Sequence, residues 1–435
     1  MKQEVDLLIK DVLILPIVPK GLVIKKGFIA ISEGRIVDFG PMEKASDFIG
    51  REILKGKGLC ALPGLINTHT HAPMTLLRGV GDGLPLDKWL NEEIWPREAK
   101  LTEEDIYWGT MLACLEMIRS GTTCFVDMYL KEDSVAKAVL DSGLRAFLSY
   151  GMIDLGQKSK KEEELRITKD FVMKWHGTGN GRIKCMIAPH APYTCSQELL
   201  LDSKVLAKEM GLMLNIHLSE TREEVRIVKR LTGRRPVEYL DFIGFLGPEV
   251  LAAHCVWLSD EEIRILAKKG VSVSHCPSSN SKLGSGIAPV REMLSYGVNV
   301  SIGTDGCASN DDMDMFEEMR LACFLQRARL LDPTVLNAVD AIEMATINAA
   351  YAIGMMDEIG SIQRGKRADL ILIVLNIPKM VPLNDLITNI VFSASGNSVR
   401  YVIVNGKILM KEGRVTSVNQ ETVIREVMRR KIVPN

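Results

Sequence analysis

Pro63-Gly64-Leu65-Ile66-Asn67-Thr68-His69-Thr70-His71 is an apolar run that stops in two histidines two residues apart. Successive residues on a strand point to opposite faces, so residues i and i+2 share one. His69 and His71 can therefore offer two imidazoles to one ion from a single strand end. The same punctuation recurs downstream, in Ile187-Ala188-Pro189-His190, Leu214-Asn215-Ile216-His217, Leu251-Ala252-Ala253-His254 and Val271-Ser272-Val273-Ser274-His275. The series closes with Val300-Ser301-Ile302-Gly303-Thr304-Asp305. A polar residue where each apolar strand stops is the pattern of a (β/α)8 TIM barrel, whose active site gathers at the C-terminal strand ends. Three histidines and an aspartate from such ends predict a hydrolytic metal site. His176 is the exception among the seven histidines: it lies in the turn-rich Trp175-His176-Gly177-Thr178-Gly179 and reads as a surface residue without a role.

The composition narrows the function by exclusion. With 54 lysines and arginines against 55 aspartates and glutamates, the net charge of -1 offers no footprint for nucleic acid or an anionic membrane. No apolar stretch approaches the ~20 residues of a bilayer span. Met1-Lys2-Gln3-Glu4-Val5-Asp6 carries acids where a signal peptide would be basic. The nine cysteines are odd in number and scattered, without a Cys-x-x-Cys pair. They read as buried apolar residues of a reducing cytoplasm. The partner expected is a small molecule; the oligomeric state stays open, a homo-oligomer included.

Around this middle the chain is strand-like at both ends. Val5–Ile9 and Gly27–Ile31 alternate with short turns, and the grammar returns at Asp369–Val374, Val399–Val404 and Lys407–Met410. Asn405-Gly406 between the last two is a strong hairpin signal. Between them, strands alternate with helices: Thr102 caps a helix running to Ser120 and stopped by Gly121, and Ser259 with Glu262 forms a capping box for a helix stopped by Gly270. Near-continuous apolar strands in β-then-α units argue for parallel pairing buried on both faces. Strands ending near Thr68, Val126, Leu148, Ala188, Ile216, Ala253, Ser274 and Gly303 make eight. The expectation is an α/β fold: residues 1–62 as the first part of a small β-sandwich, 63–360 as the (β/α)8 barrel, and 361–435 as the rest of the sandwich with a terminal helix.

The stretch from Leu62 to Met74 closely resembles the metal-binding signature of the amidohydrolase superfamily. Leu77-Arg78-Gly79, Trp95-Pro96-Arg97-Glu98, Ser120-Gly121-Thr122-Thr123, His217-Leu218-Ser219-Glu220-Thr221, Ala253-His254-Cys255, Ser274-His275-Cys276-Pro277-Ser278-Ser279-Asn280 and Gly303-Thr304-Asp305-Gly306 resemble the 5′-methylthioadenosine/S-adenosylhomocysteine deaminases. The resemblance covers almost the whole chain. It implies hydrolytic deamination of methylthioadenosine, S-adenosylhomocysteine and adenosine to inosyl products and ammonia. Guanine deaminases, cytosine deaminases and triazine chlorohydrolases share several of these motifs and are the alternatives.

The resemblance further implies one Zn2+ per subunit, with Fe2+ or Mn2+ as substitutes, held by His69, His71, His217 and Asp305. Binuclear relatives carry a bridging lysine at the fourth strand end, whereas here the only lysine of that strand, Lys184, stands at the opposite end. Asp305 would accept a proton from the attacking water, His254 would orient the attacking oxygen, and Glu220 would protonate the ring nitrogen and also contact substrate. On position alone Glu220 could equally be an acid in the first turn of a helix from Glu220 to Leu231. His190 would hydrogen-bond the substrate and Glu98 its ribose; His275 has no clear role. The other zinc deaminase design needs His-x-Glu and Pro-Cys-x-x-Cys, and neither occurs. One departure stands out. Many relatives end the third strand in Ser-Arg-Gly, and here Leu148-Ser149-Tyr150-Gly151 puts Tyr150 in the arginine's position. With no arginine to hold a carboxylate, unless Arg166 substitutes, methylthioadenosine is expected to be preferred over S-adenosylhomocysteine.

Overall fold

The structure, a computed structural model, describes residues 2–430, so the last five residues of the expected C-terminal unit lie outside it. The two capping signals hold at atomic detail. Thr102 Oγ1 accepts from Asp105 N at 3.2 Å and Asp105 returns the bond to Thr102 N, opening the helix Glu103–Ser120. Ser259 and Glu262 do the same for Asp260–Lys269. Gly121 and Gly270 end these helices at φ of 88° and 71°, a left-handed conformation that glycine adopts at least cost.

Five strands precede the histidine stretch: β1 (Gln3–Ile14), β2 (Ile24–Ser32), β3 (Arg35–Pro41), β4 (Phe48–Lys55) and β5 (Leu59–Pro63). Eight positions of parallel strand follow. These are β6 (Leu65–Thr70), β7 (Thr122–Tyr129), β8 (Arg145–Met152), a fourth in two pieces, β9 (Ile183–Cys185) and β10 (Ala188–Pro189), then β11 (Leu214–Leu218), β12 (Val250–His254), β13 (Ser272–His275) and β14 (Asn299–Ile302). The break in the fourth strand has a plain cause. Ile187 turns from β8 to β11, bonding to Met213 O and receiving Asn215 N, before Ala188 and Pro189 resume the pairing with β8.

These strands form two parallel sheets, one from β6 to β10 and one from β11 to β14. Hydrogen bonds tie the sheets at both seams. His217 N reaches His190 O at 3.0 Å on one side, while Asp305 N reaches His69 O at 2.9 Å and Thr68 Oγ1 reaches Ile302 O at 3.0 Å on the other. The second seam needs Gly303, because a Cβ there would sit 2.8 Å from both the backbone N and the Cβ of His69. Helices follow most strands, giving the mixed α/β architecture expected.

Both termini build one hydrogen-bonded sheet. The C-terminal strands β15 (Leu370–Val374), β16 (Val399–Val404), β17 (Lys407–Lys411) and β18 (Arg414–Val415) join it through the antiparallel pair β15–β5. The hairpin Asn405-Gly406 turns between β16 and β17 at φ of 51° and 76°, as its sequence signal requires. Leu7, Ile9, Ile29 and Ile31 share one buried cluster with Leu370, Leu372 and Ile403, so the two ends of the chain bury their apolar faces together. Among the described residues no helix is long and apolar enough to cross a membrane.

Candidate active site

Four strand ends, those of β6, β11, β12 and β14, deliver side chains to one point. His71 Nε2 lies 3.3 Å from Asp305 Oδ1 and 3.3 Å from His217 Nε2, and His69 Nε2 lies 3.5 Å from Asp305 Oδ1. Two overlapping donor sets result, His69 with His71 and His217, and His69 with His254 and Asp305. The orientation of the rings is built in. His71 Nδ1 faces Met128 O at 2.5 Å and His217 Nδ1 faces His190 O at 2.9 Å. A carbonyl can only accept, so each Nδ1 carries the proton and each Nε2 lone pair is left for the cluster. Burial pushes His69 down to about 4 and His217 well below its ordinary value, which keeps both in the neutral form that ligates a metal.

Asp305 is oriented in the same way. Its Oδ2 accepts from Ser279 Oγ at 2.6 Å and Ser309 Oγ at 2.8 Å, which leaves Oδ1 to the histidines. Burial alone would raise its pKa, but the close approach of His69 and the nearby His71 and His254 rings hold it well below the usual carboxylate range. His254 and Asp305 sit at φ of 71° and 64°, a costly conformation for non-glycine residues that re-aims the chain where each strand ends. The donor set thus fits a divalent ion. His69 is wholly buried with neither ring nitrogen bonded, a cost that a metal bond would relieve.

Glu220 loses its bland role here. The helix runs Arg222–Thr232 rather than from Glu220, and Thr221 is its cap. Glu224, not Glu220, collects the free N–H groups, accepting from Ser219 N at 2.6 Å and Glu220 N at 2.7 Å. The Glu220 carboxyl is left to face a cavity of about 440 Å³, where Oε1 accepts from Ser285 Oγ and Oε2 lies 3.9 Å from His254 Nε2. Burial raises its pKa, against the pull of His254. His190 lines the same cavity, its Nδ1 held by Thr194 Oγ1 at 2.9 Å, and burial lowers its pKa to about 3. Glu98, in the short helix Trp95–Glu98, also reaches the cavity and accepts from Tyr129 OH at 2.5 Å.

With this geometry in place, comparison with known proteins is decisive about kinship. Residues 60–409 match the profile of the Amidohydrolase family. The chain belongs to that family. A 5′-deoxyadenosine deaminase of Methanosarcina mazei is 49% identical over 424 residues, 98% of this chain and 97% of its own. A 5-methylthioadenosine/S-adenosylhomocysteine deaminase of Moorella thermoacetica is 50% identical over 425 residues, 98% of each chain. The crystal structure of an adenosine deaminase from Xanthomonas campestris with bound zinc superposes with a TM-score of 0.95 at 35% identity, covering 99% of this chain and 98% of that one. This amidohydrolase is accordingly a hydrolytic enzyme of the aminohydrolase class.

Three sequence expectations stand apart from the cluster. Tyr150 does not line the amidohydrolase's cavity: its hydroxyl donates to Glu164 Oε1 at 3.3 Å, in the helix Lys158–Trp175. Arg166 is on the outside of that helix, paired with Asp170. Neither lines the cavity. His275 is wholly buried, with neither ring nitrogen bonded, and is also absent from the cavity wall. His176 is exposed as expected, though its Nδ1 accepts from Cys185 N at 3.2 Å and so fastens a turn. Conversely, the sequence reading passed over Ser279, Asn280, Ser285, Ser309 and Tyr129, all of which hold site side chains by hydrogen bonds. Ser279 and Asn280 lie inside a motif already singled out, where their hydroxyl and amide were the available signal.

Proposed function

We propose that this amidohydrolase removes the 6-amino group of adenosine-type nucleosides, methylthioadenosine and 5′-deoxyadenosine ahead of S-adenosylhomocysteine and adenosine, releasing ammonia and the inosyl product. The observation that carries this is the meeting of the His69, His71 and His217 Nε2 atoms and Asp305 Oδ1 at a cavity that also receives Glu220. The activities for which the Methanosarcina and Moorella relatives are named point to the same substrate class. On this proposal the two parallel sheets close into a (β/α)8 barrel over about residues 63–360, with a small β-sandwich made of 1–62 and 361–435. The nine buried free thiols suit a reducing cytoplasm.

His69, His71, His217 and Asp305 would hold one divalent ion, zinc by the chemistry of imidazole and carboxylate donors. Such an ion, when bound, supplies Lewis acidity and lowers the pKa of water from 15.7 to roughly 7. The chain's own groups do the rest. Asp305, kept ionised, accepts a proton from the attacking water. His254, fixed by Asn280 Oδ1 at 3.0 Å, aims at the charge that develops on the attacking oxygen. Glu220, its pKa raised by burial, holds a proton for the ring nitrogen beside the attacked carbon. Glu98 offers a carboxylate to ribose hydroxyls and His190 a ring nitrogen to the base.

The wall toward solvent supports an uncharged 5′ end. Leu86, Leu90, Trp95, Leu130, Ile153 and Leu155 line it, and Trp95, Leu130 and Leu155 are exposed at the mouth. The test is ammonia release, with the purine ultraviolet change, from adenosine, 5′-deoxyadenosine, methylthioadenosine, S-adenosylhomocysteine, guanine and cytosine. Turnover of the adenosine compounds is expected. Turnover confined to guanine or cytosine by metal-loaded enzyme would overturn the assignment.

A further inference from the structure

His71 is held by two adjacent residues of β7. Met128 O accepts from its Nδ1, and Asp127 Oδ1 accepts from the residues on either side of it, Thr70 Oγ1 at 2.5 Å and Ala72 N at 2.6 Å. The other oxygen of Asp127 meets no donor of good geometry, although the side chain is wholly buried. Five residues on, Glu132 is buried as well and neither of its oxygens meets a donor of good geometry, the Tyr129 N–H being the nearest. The two carboxyl groups lie within hydrogen-bonding reach of each other. Glu132 opens the helix Glu132–Ser142, where an acid is ordinary, but its oxygens are left without a well-formed bond from the first-turn N–H groups. Capping therefore does not account for it.

We propose that Glu132 is a positioning residue for the metal site: as a neutral acid it donates its O–H to Asp127 Oδ2, and the pair fixes the Thr70–Ala72 turn that presents His71. Two buried carboxylates side by side would repel and leave Asp127 Oδ2 without a donor; one proton held by Glu132 relieves the repulsion and supplies that donor. Asp127 already accepts two short bonds on Oδ1 whereas Glu132 accepts none of good geometry, so the charge is best held on Asp127 and the proton resides on Glu132, whose pKa burial raises. Asp127 then keeps its charge and accepts strongly from Thr70 and Ala72. The inference rests on the assignment of His71 as a metal ligand.

Glu132→Gln retains the shape and one N–H donor toward Asp127, whereas Glu132→Met retains volume and offers none. Metal release from the holoenzyme into a chromogenic zinc chelator is the main readout, and infrared difference spectra of wild type against Glu132→Gln are the second. Release from Glu132→Met is expected to be about 10–100-fold faster than from wild type, with Glu132→Gln within a few-fold. The spectrum should lose the carbonyl band of one protonated carboxyl in Glu132→Gln. Equal release from all three proteins, or equal damage in Gln and Met, overturns the proposal; so does an unchanged infrared carboxyl region. The infrared arm decides even where Glu132→Met does not fold. A folded wild type that binds no metal defeats the ligand assignment, and with it His71's role, independently of the infrared result on the pair.

Discussion

The two ends of the parallel strands are built on opposite principles. Arg145 opens β8 wholly buried, its guanidinium forked onto both oxygens of Asp369 at 2.7 and 3.1 Å, with Gly181 O on the remaining nitrogen. Asp369 in turn accepts from Asn405 N and stands at the entrance to β15, so this bond fastens the parallel strands to the terminal sheet. At the other end, His69 has no hydrogen-bond partner for either ring nitrogen, and two Nε2 atoms and a carboxylate oxygen crowd within 3.5 Å. The Arg145–Asp369 pair is saturated, whereas the histidine cluster is left wanting a partner. The difference separates stability from chemistry along the same strands.

The sharpest way to break the comparison is to remove a ligand. His217→Ala should lose its bound metal and all measurable deaminase activity, while circular dichroism stays that of a folded protein. Wild type should hold about one zinc-type ion per chain by elemental analysis, since Lys184 lies at the start of β9, away from the cluster. Two ions per chain, both required for turnover, would sink the mononuclear site.

Glu220→Gln tests the acid without touching the ligands. Metal content should survive and kcat fall by about two to four orders of magnitude. The pH profile adds a sign. Burial raises the Glu220 pKa, so the protonated, competent form is present below that pKa and is lost as pH rises through it. Wild-type kcat/KM should therefore decline on the alkaline side, and the residual activity of Glu220→Gln should lack that limb. Near-normal turnover in the variant would return Glu220 to an idle role.

The saturated pair should answer in stability alone. Asp369→Ala strands the Arg145 charge in the interior, a loss of about 3–5 kcal/mol by analogy with other broken buried pairs. Chemical denaturation should register it, whereas kcat and metal content of the folded fraction should stay near wild type. A collapse of kcat in folded Asp369→Ala would mean the two ends are not separable.

The convergence of His69, His71, His217 and Asp305 was legible in the sequence because metal chemistry restricts residue type and strand periodicity restricts placement: His-x-His at an apolar strand end has few other uses. The helix caps and the Asn405-Gly406 hairpin were legible for the same reason, each being a local rule. Tyr150 failed where locality ends. Its position at a strand end was read correctly, but the partner that draws its hydroxyl away is Glu164, fourteen residues on in a separate helix. The apolar wall was illegible too, since Leu86, Leu90 and Trp95 look like core residues until the fold leaves them facing a cavity. The sequence likewise offered Glu220 two roles, and only the helix's start at Arg222, with Thr221 as its cap and Glu224 taking the preceding N–H groups, removed one of them.

The smallest expected effect concerns the far end of the cavity, where the preference for an apolar 5′ group now rests on the wall rather than on Tyr150. Leu155 is 62% exposed at the mouth, and its loop is fixed by Asp154, whose carboxylate takes bonds from Ser196 N and Oγ and from Gly156 N. Leu155 N also reaches Thr194 O at 3.1 Å, so the backbone is held whatever the side chain. Leu155 already sits at φ of 47°, a conformation arginine tolerates no worse than leucine. Wild type should therefore turn over methylthioadenosine with a higher kcat/KM than S-adenosylhomocysteine, whose tail ends in a carboxylate that Leu, Ile and Trp cannot bond. In Leu155→Arg the guanidinium can supply that bond. Bonds to charged groups contribute about 1.5–3 kcal/mol, with the lower end apt for so exposed a site. The gap between the two substrates should then narrow by about tenfold, through kcat/KM for S-adenosylhomocysteine alone. A wild-type preference for S-adenosylhomocysteine would show that some other group reads the tail, and an unchanged ratio in Leu155→Arg would remove Leu155 from the 5′ site.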